Sequence, residues 1–92
     1  MRFQVSYHEL VVSDDLPKLD GRLKKRIRHA IEIRLMTQPE LYGAPLRRSL
    51  AGYRKLRVGD YRIVFKIISA KVKILIIEHR SVAYEKVLWR LS

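Results

Sequence analysis

Five side chains in the second half of the chain belong to types that move protons and hold negative charge: Lys55, Arg57, Arg62, His79 and Tyr84. Three of them lie in YRKLRVGDYRIVFK, residues 53–66, which reads as two strands joined by a two-residue Gly59-Asp60 turn. That turn pairs Val58 with Tyr61, Arg57 with Arg62, Leu56 with Ile63, Lys55 with Val64 and Arg54 with Phe65. Alternation along each strand then sets Lys55, Arg57 and Arg62 on one face. Leu56, Val58, Ile63 and Phe65 take the other, the natural core face, and Arg54 reaches out past the sheet edge. Like charges opposed across a hairpin cost stability, so the cationic face suits phosphate or an acidic partner.

Whether His79 joins that face depends on the next turn. With Ala70-Lys71 as a two-residue loop, Arg62 faces His79; with a three-residue loop it faces Glu78. A slip of one residue exchanges the faces, and strand 72–80 is apolar on both sides, so its pattern fits either register. In the register that brings in His79, Glu78 points away. Tyr84 follows just beyond the strand end. Guanidinium, ammonium, imidazole and phenol together suit phosphoryl transfer within RNA. There the 2′-hydroxyl is the nucleophile, and the protein supplies proton transfer and charge stabilisation. The histidines at 8, 29 and 79 lie far apart and cysteine is missing, so no metal-ligand spacing appears. Nor is there a Gly-rich phosphate loop or a nucleophile motif.

The elements that must position these groups are legible in outline. Residues 2–7 alternate, with Phe3, Val5 and Tyr7 on one face of a strand. Ser6 and Glu9 have capping-box spacing for a short helix through Leu10–Val12. Ser13-Asp14-Asp15 with Pro17 reads as the start of a second helix. In it Leu19, Leu23, Ile27, Ala30, Ile31 and Leu35 form a core-facing stripe, and Pro39 ends it. Residues 46–50 suggest a short edge strand or the approach to one, 52–58 and 61–68 the hairpin, and 72–80 a central strand. Ser81 caps a last helix in which Tyr84, Val87, Leu88 and Leu91 share a side, with Trp89 off that stripe. The expected architecture is a small single α+β domain over residues 1–92, an antiparallel meander flanked by N-terminal helices and a C-terminal helix.

Charge is the strongest global signal. Twenty Lys and Arg against nine Asp and Glu give +11 and a pI near 10.5, a balance that favours nucleic acid, anionic lipid or an acidic protein. With 48% hydrophobic residues the chain can bury a core. No segment approaches a membrane span and the N-terminus lacks a signal-peptide pattern, so no membrane association is expected. The lack of cysteine fits a reducing compartment.

The run GYRKLRVGDYRIVF, the strand KVKILIIEHR and a terminal helix carrying Tyr84 resemble the RelE/ParE toxin superfamily of bacterial type II toxin–antitoxin systems. The helical region DDLPKLDGRLKKRIRHAI extends the likeness over nearly the whole chain, and LRVGDYR is its most specific part. The resemblance implies a cytoplasmic toxin silenced by a cognate antitoxin. RelE-like members are metal-independent endoribonucleases that cut mRNA, commonly in the ribosomal A site, without a small-molecule cofactor. ParE-like members poison DNA gyrase instead, and a degenerate member would only bind its antitoxin. By the same resemblance Arg62 falls on the arginine that stabilises the scissile phosphate, and Lys55 on an acid–base lysine. Tyr84 falls on the tyrosine that stacks on or orients the nucleotide, and His79-Arg80 on a His-Arg pair closing the last strand. The family's second lysine is replaced by Tyr53 or Arg54. Arg54, Arg57, Arg80, the Arg47-Arg48 pair and the Arg22–Arg28 helix face are expected to contact RNA or an acidic antitoxin electrostatically.

Overall fold

The computed structural model describes residues 2–91. Five strands form one sheet in the order β1-β5-β4-β3-β2: β1 Gln4–Tyr7, β2 Ala44–Pro45, β3 Arg54–Val58, β4 Tyr61–Ile68 and β5 Lys71–His79. The strands β2 to β5 are the expected antiparallel meander, but β1 joins β5 in parallel, so the sheet is mixed. Among the described residues, α1 Gly21–Ala30 with its helical extension Ile31–Leu35, the single turn α2 Pro39–Tyr42 and α3 Ala83–Leu91 complete the α+β fold.

The thicker core lies under α1. Leu19, Ile27, Ala30, Ile31 and Leu35 of the expected stripe are buried against Leu56, Val58, Ile63, Phe65, Ile74 and Ile77, and Leu23 packs at the margin. The start of α1 is set by Asp20, whose carboxylate accepts the Leu23 N–H at 2.8 Å. Residues 13–17 do not start it: Val11–Asp15 and Leu16–Lys18 are separate helical turns that precede the cap. The Ser6–Glu9 capping box is also not formed, because Ser6 belongs to β1; His8 Nδ1 accepts the Leu10 N–H instead. Between α1 and the hairpin, the expected strand at 46–50 is a single turn, Arg48–Leu50, and the edge strand is β2. Gly43 is required there, since a methyl group on its Cα would overlap the Phe65 ring.

The β3–β4 hairpin has the pairing derived above, from Val58 with Tyr61 out to Arg54 with Phe65. The β4–β5 hairpin departs from both expected loops. Its turn is Ser69-Ala70, pairing Ile68 with Lys71, and a bulge at Leu75 then shifts the register so that Arg62 faces Glu78. The bulge sends Leu75 and Ile76 together into a second, smaller core with Leu50, Val64 and Val87, while Ile74 and Ile77 stay under α1.

That smaller core holds α3 by Val87, and Ala83 is buried in the first turn of the helix. The expected apolar stripe is corrected here: Tyr84, Leu88 and Leu91 remain well exposed, and the inward position after Val87 is taken by Arg90.

Candidate active site

Strand β3 presents Lys55 and Arg57 on the face that α3 partly covers, and β4 adds Arg62 by its pairing with Arg57. The first turn of α3 brings Tyr84 to the same place. Lys55 Nζ donates a hydrogen bond to Tyr84 Oη at 2.8 Å. The ammonium lies 5.4 Å from the ring centroid, a separation reached at the hydroxyl end of the ring and not over its face. Arg57 is exposed, and its guanidinium has no hydrogen-bond or ion-pair partner among the described residues.

Arg62 is placed differently from what its chemistry alone suggests. It is 7% exposed, and its Nη1 donates to the carbonyls of Gly59 and Tyr61, both at 3.0 Å. It therefore braces the β3–β4 turn with one nitrogen of its guanidinium.

The bulge at Leu75 brings Glu78 opposite Arg62 and turns His79 to the other face. There the His79 ring meets Tyr61 edge-on at 5.6 Å, and its Nδ1 accepts the Ser81 N–H at 3.1 Å beside the Ser81 hydroxyl. The structure thus separates His79 from Lys55, Arg57 and Arg62. Glu78, now on their side, accepts from Lys86 Nζ at 2.9 Å. Arg54 straps β3 to α2, donating to the carbonyls of Gly43 at 2.8 Å and Glu40 at 3.2 Å. Arg80 lies 3.7 Å from Asp60, at the hairpin turn. Arg47 and Arg48 are exposed on the turn before β3, whose Leu50 packs in the smaller core with Val87 of α3.

One constellation escaped the sequence reading. Asp15, almost wholly buried, accepts two hydrogen bonds from Arg90 at 2.6 and 2.7 Å and a third from the Ile77 N–H at 2.9 Å. Arg90 also donates to the Leu75 carbonyl at 2.9 Å. Strand β1 covers β5 only as far as Ile74, so this ion pair takes over where β1 ends and satisfies backbone groups around the bulge. Asp14 beside it draws in Lys18 and Lys86, at 3.3 and 3.2 Å, and the hydrogen bonds from Lys86 and Lys18 hold its carboxyl below the usual value. An arginine three residues after Val87, at the spacing of a buried stripe, was the available signal. Together these contacts fasten α3, and with it Tyr84, to the rest of the molecule.

The fold is one that small toxins solved in toxin–antitoxin complexes share. Residues 7–84 match the ParE toxin of the type II toxin–antitoxin system parDE, and the chain belongs to this family, within the RelE/ParE superfamily. It is 31% identical over 83 residues to Toxin RelE of Mycobacterium tuberculosis, covering 85% of this chain and 86% of that protein. The toxin–antitoxin complex RelBE2 of the same organism superposes with a TM-score of 0.80 at 31% identity, over 88% of this chain and 94% of the other. The archaeal RelE–RelB complex of Pyrococcus horikoshii does so with a TM-score of 0.67 at 25% identity, over 87% and 97%.

Proposed function

We propose that this toxin is an endoribonuclease that cuts mRNA in the ribosomal A site, stops translation in the cytoplasm and is neutralised by a cognate antitoxin. The observation that carries the reading is the 2.8 Å hydrogen bond from Lys55 to Tyr84, flanked by Arg57 on one sheet face. In-line attack by a 2′-hydroxyl forms a 2′-O–P bond as the P–O5′ bond breaks; the hydroxyl proton passes to water, a proton is delivered to the departing 5′-oxygen, and positive charge surrounds the phosphorane. The ammonium of Lys55, oriented by Tyr84, is the donor, and Arg57 with the remaining donors of Arg62 receives the charge. Tyr84, 37% exposed, also offers a ring on which a base can stack. His79 has no part in this scheme, since it faces the other side of the sheet.

Antitoxin binding follows from the resemblance to toxins solved as RelBE and RelE–RelB complexes, and the net charge of +11 favours an acidic partner. A second reading, inhibition of DNA gyrase, is favoured by the match to the ParE family. Induced expression separates the two. New mRNA 5′ ends in translated genes, lost in Lys55→Ala and reduced in Tyr84→Phe, are the expected result. Intact mRNA with loss of plasmid supercoiling would overturn the nuclease in favour of the gyrase reading.

A further inference from the structure

The concave surfaces away from the Lys55–Tyr84 pair differ in charge. The groove between α3 and the Val11–Asp15 turns mixes Asp14, Glu78 and Glu85 with Lys18, Lys86 and Arg90, and most of these pair with one another. A smaller cleft of about 270 Å3 lies between α1 and the β3–β4 turn, lined by Arg26, His29, Ile33, Arg34, Arg57 and Gly59 among others. No carboxylate lines it. Its three guanidiniums make no ion pair among the described residues.

Two of the three are held in place. Gly59 has φ +60°, and a Cβ built there would stand 2.9 Å from Arg26 Nη1, so the guanidinium lies directly against the turn. Arg34 sits over the Tyr42 ring, 5.7 Å from its centroid. The third, Arg57, sits where β3 becomes an open edge, because β2 covers only Arg54 and Lys55. A charged residue there discourages strand-to-strand pairing, which accounts for Arg57. It does not account for two further arginines converging on the same cleft from α1 and its extension.

We infer that this cleft holds a backbone phosphate of the RNA strand whose cleavage is proposed above, and the inference rests on that reading. Arg57 belongs to both places: it projects from the face of Lys55 and Arg62 and lines the cleft around the edge of β3. A strand engaged at Lys55 and Tyr84 is thereby led over the sheet edge toward α1. Guanidinium forks match phosphate oxygens, and a space of this size takes a phosphodiester unit but not a helix, whose diameter is about 10 Å.

The test uses the full chain and a short 2′-O-methyl RNA, which lacks the nucleophile and cannot be cut. Titration should shift the backbone amide resonances of Gly59 and His29. Arg26→Ala and Arg34→Ala should each weaken binding roughly tenfold, as for the removal of a charged hydrogen bond. The slope of log affinity against log salt should fall by about 0.7 in each variant, the value for one phosphate no longer neutralised on a single strand. Both side chains are on the exposed surface of α1 and its extension, so folding is expected to persist, checked by thermal melts. Unchanged affinity in both variants, with Gly59 and His29 silent, overturns the inference. So does a response of those residues to an acidic antitoxin peptide but not to the RNA. Cleavage with a silent cleft removes the cleft and keeps the nuclease; a responsive cleft without cleavage of unmodified mRNA on ribosomes does the reverse.

Discussion

Arg90 and Arg57 are the same side chain in opposite surroundings. Arg90 is enclosed, with its donors divided between the Asp15 carboxylate and the Leu75 carbonyl. Arg57 stands on an open edge, paired across the hairpin with Arg62, and shares with Arg26 and Arg34 a cleft that no carboxylate lines. The few acidic residues of the chain are distributed unevenly: Asp14, Asp15 and Glu78 gather where α3 must be fastened, and the hairpin end is left largely uncompensated. Charge at one end is structural; at the other, Arg26, Arg34 and Arg57 make no ion pair among the described residues. A buried guanidinium without its partner is destabilising, whereas an exposed one in water is nearly neutral to the fold.

That contrast can be broken most forcefully at Asp15. Asp15→Ala leaves Arg90 without its counter-ion and the Ile77 N–H without its acceptor, and we expect a loss of about 3–5 kcal/mol in urea unfolding. A double change of Asp15 and Arg90 to leucine should recover part of that loss, since removing both charges also removes their desolvation cost. Arg62→Ala should fall between the two regimes. The fold loses about 1–3 kcal/mol with the brace of the Gly59 and Tyr61 carbonyls, and growth inhibition is lost as well. Toxicity of Arg62→Ala at a matched folded fraction would remove Arg62 from the site. Arg57→Ala should change the unfolding free energy by no more than about 0.5 kcal/mol while lowering the cleavage rate roughly 100-fold. A large stability change there would erase the distinction drawn from Arg90.

The smallest expected effect is on pH dependence. Lys86 and Lys18 hold the Asp14 carboxyl below its ordinary value of 3.8, so the folded state favours its charged form. Its contribution to stability is complete above that value and is lost as the pH falls through the depressed range. Acid titration of Asp14→Asn should show a shallower loss of stability below pH 3.8 than the parent chain. Equal slopes would mean that Asp14 contributes nothing.

How much of this is legible in the sequence depends on whether a local pattern records it. The β3–β4 register follows from a two-residue turn and strict alternation, and every pair from Val58–Tyr61 to Arg54–Phe65 is as read. The β4–β5 register does not, because residues 74–77 are apolar throughout and a bulge leaves no mark in such a run. Without that one extra residue the same turn would set Ile77 opposite Arg62, and with it Glu78 takes the place. The inward face of α3 is hidden for a related reason: apolar spacing points to Leu88 and Leu91, whereas the side chain that is buried is Arg90. Its partner lies 75 positions earlier, and no local pattern links the two. Asp20 is the cap of α1 in place of Asp14 and Asp15, which have equally suitable side chains but are committed to lysine and arginine partners.

The parallel pairing of β1 with β5 has a kinetic consequence. Gln4 meets Lys71, and Asp15 waits for Arg90, so the contacts that close the molecule join parts of the chain far apart in sequence. On a ribosome the β3–β4 hairpin can form early, but β1 finds its neighbour only after most of the chain has been made. Folding of the isolated chain should be slow for its length, as expected when distant segments must meet. We expect the Asp15–Arg90 pair to close after the rate-limiting step, so that breaking it hastens unfolding and leaves the folding rate almost unchanged. By the same logic the Lys55–Tyr84 pair is absent through most of synthesis, because Tyr84 reaches Lys55 only when the last helix docks.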